Sequence, residues 1–173
     1  VVAFIGCGVD ETHQKVAGDA GPNPTPSLLL VSPSQWSPVA TSPWSEEPSN
    51  DGCDPLYHTE IVDDVEIFEV DTSTCRHQTF SQPILGDLEA GSRVTVSGFH
   101  FELLASEPAQ GHFAVRLGMN DVVDKYFDIP SGGSAGFEET WIAPSDFAVG
   151  TPIYFHIHNH GANRWMLLDL KRE

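Results

Sequence analysis

From Cys53 to the C-terminus the chain is a series of short stretches in which apolar and polar residues alternate. That period of two restricts its fold more than any other feature. Phe113, Val115 and Leu117 alternate with His112, Ala114 and Arg116; Ile153, Phe155 and Ile157 alternate with Tyr154, His156 and His158. Successive side chains of a strand point to opposite faces, so each stretch offers one apolar face to a core and one polar face to solvent. Strands are predicted over roughly 58–70, 75–80, 92–104, 112–118, 122–129, 136–142, 151–158 and 164–170. Turn signals separate them, among them Glu89-Ala90-Gly91-Ser92, Pro130-Ser131-Gly132-Gly133 and Asn159-His160-Gly161. The pattern predicts an all-β fold over 52–173, an antiparallel β-sandwich or jelly roll.

Within 92–104 the phase changes. Val94 and Val96 share one parity, whereas Phe99, Phe101 and Leu103 share the other. A β-bulge at Ser97-Gly98 accounts for the change and places His100 and Glu102 opposite the core. Asp63-Asp64-Val65-Glu66 reads as a charged face on an edge strand.

Residues 8–51 have a different composition. Pro22, Pro24, Pro26, Pro33, Pro38, Pro43 and Pro48 stop helices and remove ladder donors, and serines fill much of the space between them. The segment is expected to be an irregular tether ahead of the β domain. Leu28-Leu29-Leu30-Val31, Trp36 and Trp44 are apolar within it and are expected to lie along the domain surface.

Residues 1–7 read as the tail of an apolar signal segment. Phe4-Ile5-Gly6-Cys7 resembles the bacterial lipobox, with Phe in place of the usual Leu. The resemblance implies lipidation of Cys7. Assigning Cys7 to lipid leaves Cys53 and Cys75 as a pair. Their disulfide would close a loop of about 23 residues, worth about 3 kcal/mol, and would persist only in an oxidising compartment. The alternatives are two free thiols, or Cys75 as a thiolate metal ligand with His77 two residues on. The arrangement as a whole resembles uncharacterised secreted bacterial lipoproteins that carry a single β domain after a Pro/Ser-rich tether. That resemblance implies an exported, lipid-anchored protein of the outer membrane or cell surface, touching the membrane only through Cys7.

Twenty-five acidic residues against 8 basic ones give a formal net charge of −17. Such a chain is repelled by nucleic acid and by anionic lipid, so neither is an expected partner. No GxSxG, P-loop, GxGxxG, HExxH or CxxC motif is present.

The most chemical feature is Tyr154-Phe155-His156-Ile157-His158-Asn159-His160. Alternate histidines on a strand lie about 6.6 Å apart on one face and can converge on one ion. His156 and His158 are therefore candidate metal ligands, joined by His100 or His112 from a neighbouring strand, with His160 and Glu102 as additional candidates. Zn or Cu suits such a set. The other reading makes these histidines part of a polar sheet face or a set of hydrogen-bonded structural residues. Gly98-Phe99-His100-Phe101-Glu102 resembles the first copper-binding strand of copper/zinc superoxide dismutases over those five residues. Asn159 to Trp165 combines amides, Arg164 and Trp165, as a sugar-binding loop does; its alternative is a hairpin turn followed by a core Trp.

Three functions follow in order of preference. The first is a surface-tethered binding or accessory lipoprotein with a His-lined Zn or Cu site. The second is a carbohydrate- or protein-binding jelly-roll module. The third is a small metalloenzyme, for which Glu102 is the obvious general base beside the histidines.

Overall fold

The computed structural model describes residues 27–44 and 52–173. Cys7, for which lipidation is expected, and residues 8–26 and 45–51 of the expected tether lie outside the described residues.

Two antiparallel sheets pack face to face. Their strands are β1 (Leu28–Leu29), β2 (Ser37–Pro38), β3 (Leu56–Val62), β4 (Val65–Asp71), β5 (His77–Pro83) and β6 (Arg93–His100), followed by β7 (Ala109–Leu117), β8 (Asn120–Ile129), β9 (Ala135–Ile142), β10 (Pro152–His158) and β11 (Arg164–Arg172). The first sheet has the order β3-β4-β11-β6-β9, with β1 added on β11; the second has the order β2-β5-β10-β7-β8. This is the antiparallel sandwich that the alternation predicts.

The core lies between the sheets. Phe68, Val70, Val94, Val96, Trp165 and Leu167 come from the first sheet, and Phe80, Phe113, Val115, Phe155 and Ile157 from the second. All are buried, and each such side chain contributes about 1.5–3 kcal/mol through removal from water. The odd-numbered residues of β7 and β10 face inward. His112, Ala114 and Arg116, with Tyr154, His156 and His158, therefore occupy the outer face of the second sheet.

Three local expectations are corrected. The predicted strand 58–70 is a hairpin. Asp63 and Asp64 take φ values of 50° and 64°, the two positive values that a two-residue type I′ turn requires and that Asp tolerates.

The bulge is not at Ser97-Gly98. The register of β6 with β9 runs unbroken from Arg93 opposite Ile142 to His100 opposite Ala135. The shift is on β11 instead, between Leu167 and Asp169. Parity along β6 is therefore never reset, and Gly98 and His100 stay on the same side as Val94 and Val96. Gly98 is there because the ring of Phe137 lies against its Cα, where a Cβ would collide with it.

The third correction concerns the tether. Leu30, Val31 and Trp36 are core residues, and Leu28 and Leu29 pair with Arg172 and Lys171. Gln82 fixes the segment by accepting a hydrogen bond from the Ser32 amide at 2.9 Å and donating one to the Ser32 carbonyl at 3.0 Å. Only a three-residue 3-10 turn, Pro33–Gln35, is helical among the described residues of this stretch. Proline content excludes a long helix but neither short ladder pairs, β1 on β11 and β2 on β5, nor burial of the aliphatic side chains between them.

Cys53 and Cys75 form a disulfide with Cα atoms 5.7 Å apart, inside the usual bonding range. It ties the foot of the β3–β4 hairpin to the start of β5 and removes Cys75 as a thiolate ligand.

Candidate functional site

The outer face of the second sheet collects most of the residues singled out from the sequence. His158 faces both His77 on β5 and His112 on β7, and His156 faces Thr79 and Ala114. His112 in turn faces Tyr126 on β8. One patch thus holds His77, His112, His156 and His158, with His160 just beyond the end of β10.

The patch is not uniformly open. After β2 the chain crosses this face: the Val39 amide donates to the Thr79 carbonyl at 3.0 Å, and Trp44 arrives over His156 with ring centroids 5.3 Å apart. Arg116 closes the crossing. Its Nη1 donates to the Pro43 carbonyl at 2.6 Å, and its guanidinium stacks on Trp44 at 4.7 Å. Beneath this strap His156 is fully buried, and its Nδ1 is hydrogen-bonded to the Thr79 hydroxyl at 2.7 Å.

Beyond the strap the face opens into a groove of about 510 Å³ lined by Pro108, Ala109, Gln110, His112, Tyr126, His158 and His160. Tyr126 is 56% exposed. Its ring lies parallel to that of His112, 2° from coplanar at 4.3 Å. His112 is held from the side by Asp124, whose Oδ1 is 2.6 Å from Nε2. Asp124, His112 and Tyr126 therefore form a braced row whose last member is an aromatic ring open to solvent. On the opposite side of the groove His158 stacks on His77 at 4.0 Å and contacts His160 at 5.0 Å. Gln110 and Asp128, joined at 3.3 Å, add polar groups at one end.

The predicted metal set is divided by this geometry. His156, His158 and His112 share a face, and His160 adjoins them. His100 does not: it lies inside the sandwich, 3% exposed, with Nδ1 hydrogen-bonded to the Phe101 carbonyl at 2.8 Å and its ring against Phe127 and Trp165. The cause is the unbroken parity of β6. Glu102 is exposed after the end of that strand. Among the described residues no three of the predicted ligands come within common bonding reach. The one group of His, Cys, Asp or Glu side chains that does is His58, Glu60 and Glu69, which the sequence reading did not single out. Its signal was present as His-x-Glu on one strand and a Glu amid apolar residues on the next.

The Asn159 to Trp165 segment is structural. The Asn159 amide donates to the Thr72 hydroxyl at 2.8 Å, and the Asn163 amide donates to the Leu104 carbonyl at 3.0 Å. Trp165 is wholly buried in the core.

Among the described residues Glu69 is the buried carboxylate, 1% exposed. Burial pushes its carboxyl above the ordinary range, and the nearby Arg164 and His58 only partly oppose this.

No protein-family model matches the chain, and no curated protein matches it in sequence. Among solved structures it is similar to the family 11 carbohydrate-binding module of Clostridium thermocellum, at 12% identity over 83% of this chain and 94% of that one, TM-score 0.45. It is similar to the C-terminal family 6 carbohydrate-binding module of a laminarinase from Zobellia galactanivorans, at 11% identity over 85% and 98%, TM-score 0.45. It is also similar to the enzymatically active domain of tailspike protein 4 of bacteriophage CBA120, at 14% identity and TM-score 0.48. That match covers 81% of this chain and 19% of the tailspike, so the chain spans about a fifth of its length.

Proposed function

We propose that the chain is a carbohydrate-binding domain that takes an oligosaccharide along the open part of the second sheet's outer face. The observation that carries the reading is the braced, solvent-exposed ring of Tyr126 at the edge of a groove lined by imidazoles and an amide. A sugar ring presents C–H groups on its faces and hydroxyls around its rim. A fixed aromatic face suits the former, and side chains that both donate and accept suit the latter. Tyr126 supplies the face; Gln110, His158 and His160 supply the rim contacts. Because His112 stacks beneath Tyr126 and Asp124 holds His112, little side-chain entropy is lost on binding.

The solved structures similar to this chain include a xylan-binding domain and a carbohydrate-binding module in complex with a β-1,3-1,4-mixed-linked tetrasaccharide. The test is affinity electrophoresis and calorimetry of the intact chain against xylan, mixed-linkage β-glucan and a wider glycan panel. Binding to one glycan class is expected, with Tyr126→Ala weakening it at least about tenfold. Failure to bind any member of the panel, or full affinity in Tyr126→Ala, rejects the reading.

A further inference from the structure

The second feature with a chemistry of its own lies on the other sheet, away from the groove. His58 and Glu60 are two residues apart on β3 and so project from the same face. Glu69 stands on β4 directly opposite His58. Its neighbours Phe68 and Val70 point into the core, so Glu69 points outward, toward the β3 pair. One ligand atom from each of the three lies within 4.8 Å of the others.

Glu69 is what makes this more than a charged surface. It is nine-tenths and more buried, and among the described residues its Oε2 has no hydrogen-bond partner. Among the described residues its Oε1 makes two long contacts, to His58 Nε2 at 3.8 Å and to Arg164 Nη1 at 3.6 Å. A buried carboxylate normally has full-strength partners, because desolvation without them is costly. Here the carboxylate lies within reach of one imidazole and one further carboxylate, and one of its two oxygens has no hydrogen-bond partner among the described residues.

We infer that His58, Glu60 and Glu69 form a binding site for a divalent transition-metal ion of the Zn²⁺ class. The donor set decides the class. Two carboxylates and an imidazole suit Zn²⁺, whereas Ca²⁺ and Mg²⁺ prefer all-oxygen ligands. A tetrahedral ion with bonds of about 2.0–2.2 Å spaces its ligands about 3.4 Å apart. His58 and Glu60 are exposed, so side-chain rotation closes the remaining distance without moving the buried Glu69. Three protein ligands leave a fourth position for water.

Arg164 competes for the same carboxylate. It is half exposed and its guanidinium stacks on Phe101 at 4.2 Å, so it has a second resting place when an ion takes Glu69. The site is independent of sugar binding, since the residues of the groove lie on the opposite sheet.

The test is titration of the chelator-treated, untagged full chain with Zn²⁺, by calorimetry and by thermal shift, with Ca²⁺ and Mg²⁺ in parallel. One equivalent of Zn²⁺ should bind and raise Tm, and the other two ions should not. His58→Ala and Glu60→Gln, both at exposed positions, should each weaken that site at least tenfold. His158→Ala should leave it unchanged, and Arg164→Gln should tighten it. Glu69→Gln should lose the Zn²⁺-dependent rise in Tm while remaining folded in its absence. The inference is overturned if the parent binds no Zn²⁺, if the His58→Ala, Glu60→Gln double variant binds it as the parent does, or if His158→Ala removes the site.

Discussion

Trp44 covers His156: the two rings lie 5.3 Å apart, and the imidazole beneath is fully buried on what is nominally the outer face of a sheet. The polar parity of β10 is therefore divided in function. Its first histidine, His156, is packed under the strap, whereas His158 lines the open groove. Trp44→Ala should lower stability by about 1 kcal/mol, through loss of ring burial and of the Arg116 stack. It should also make His156 reactive toward diethylpyrocarbonate. Unchanged His156 protection in the variant would show that the strap is held by something other than Trp44.

The disulfide closes the loop that contains the β3–β4 hairpin. Replacing Cys53 and Cys75 together by Ser should cost about 2–4 kcal/mol, read as a lowered midpoint in denaturant. The parent treated with reductant should fall to the same midpoint. A midpoint unaffected by either change is incompatible with the bond.

Gly98 accommodates the Phe137 ring. Gly98→Val should destabilise the sandwich by about 1–3 kcal/mol from overpacking, despite the higher strand propensity of Val. A stabilised Gly98→Val protein would mean that Phe137 moves away freely.

Glu69 gives the pH dependence a sign. Its folded carboxyl is raised by burial above the ordinary value of 4.5, so the folded state binds that proton more tightly than the unfolded state. Its contribution is most favourable below about pH 4.5 and is lost as pH rises through the raised folded value. In chelator-treated protein, Glu69→Gln should therefore raise Tm at pH 7 relative to the parent, with a smaller difference at pH 4. Equal differences at the two pH values would show that Glu69 is ionised throughout that range.

Where the alternation is clean, the sequence is legible. β7 and β10 were readable down to which side chains face the core, because Phe113, Val115, Phe155 and Ile157 leave no competing parity. The half-buried rings of Phe99 and Phe101 misdirected the reading of β6: large apolar residues on an outer face look like core residues, and a glycine accommodating a neighbour's ring looks like a bulge. His100 was misplaced as a consequence. The Asp63-Asp64 turn was hidden because Asp is rarer than Asn or Gly in that conformation. The strap of residues 37–44 could not be read from proline spacing, since its position depends on Arg116 and Thr79, far away in the chain. His58, Glu60 and Glu69 were visible only once the hairpin register was known.

Amide and side-chain NMR of the intact chain, titrated with the best-bound oligosaccharide of the panel, tests directly whether sugar sits in the groove beside Tyr126. Shift changes should cluster at His112, Tyr126, His158 and His160, with none at His58 or Glu69 on the other sheet. Changes confined to the first sheet or to the β3–β4 hairpin, with Tyr126 unmoved, would refute the assignment of the groove as the sugar site.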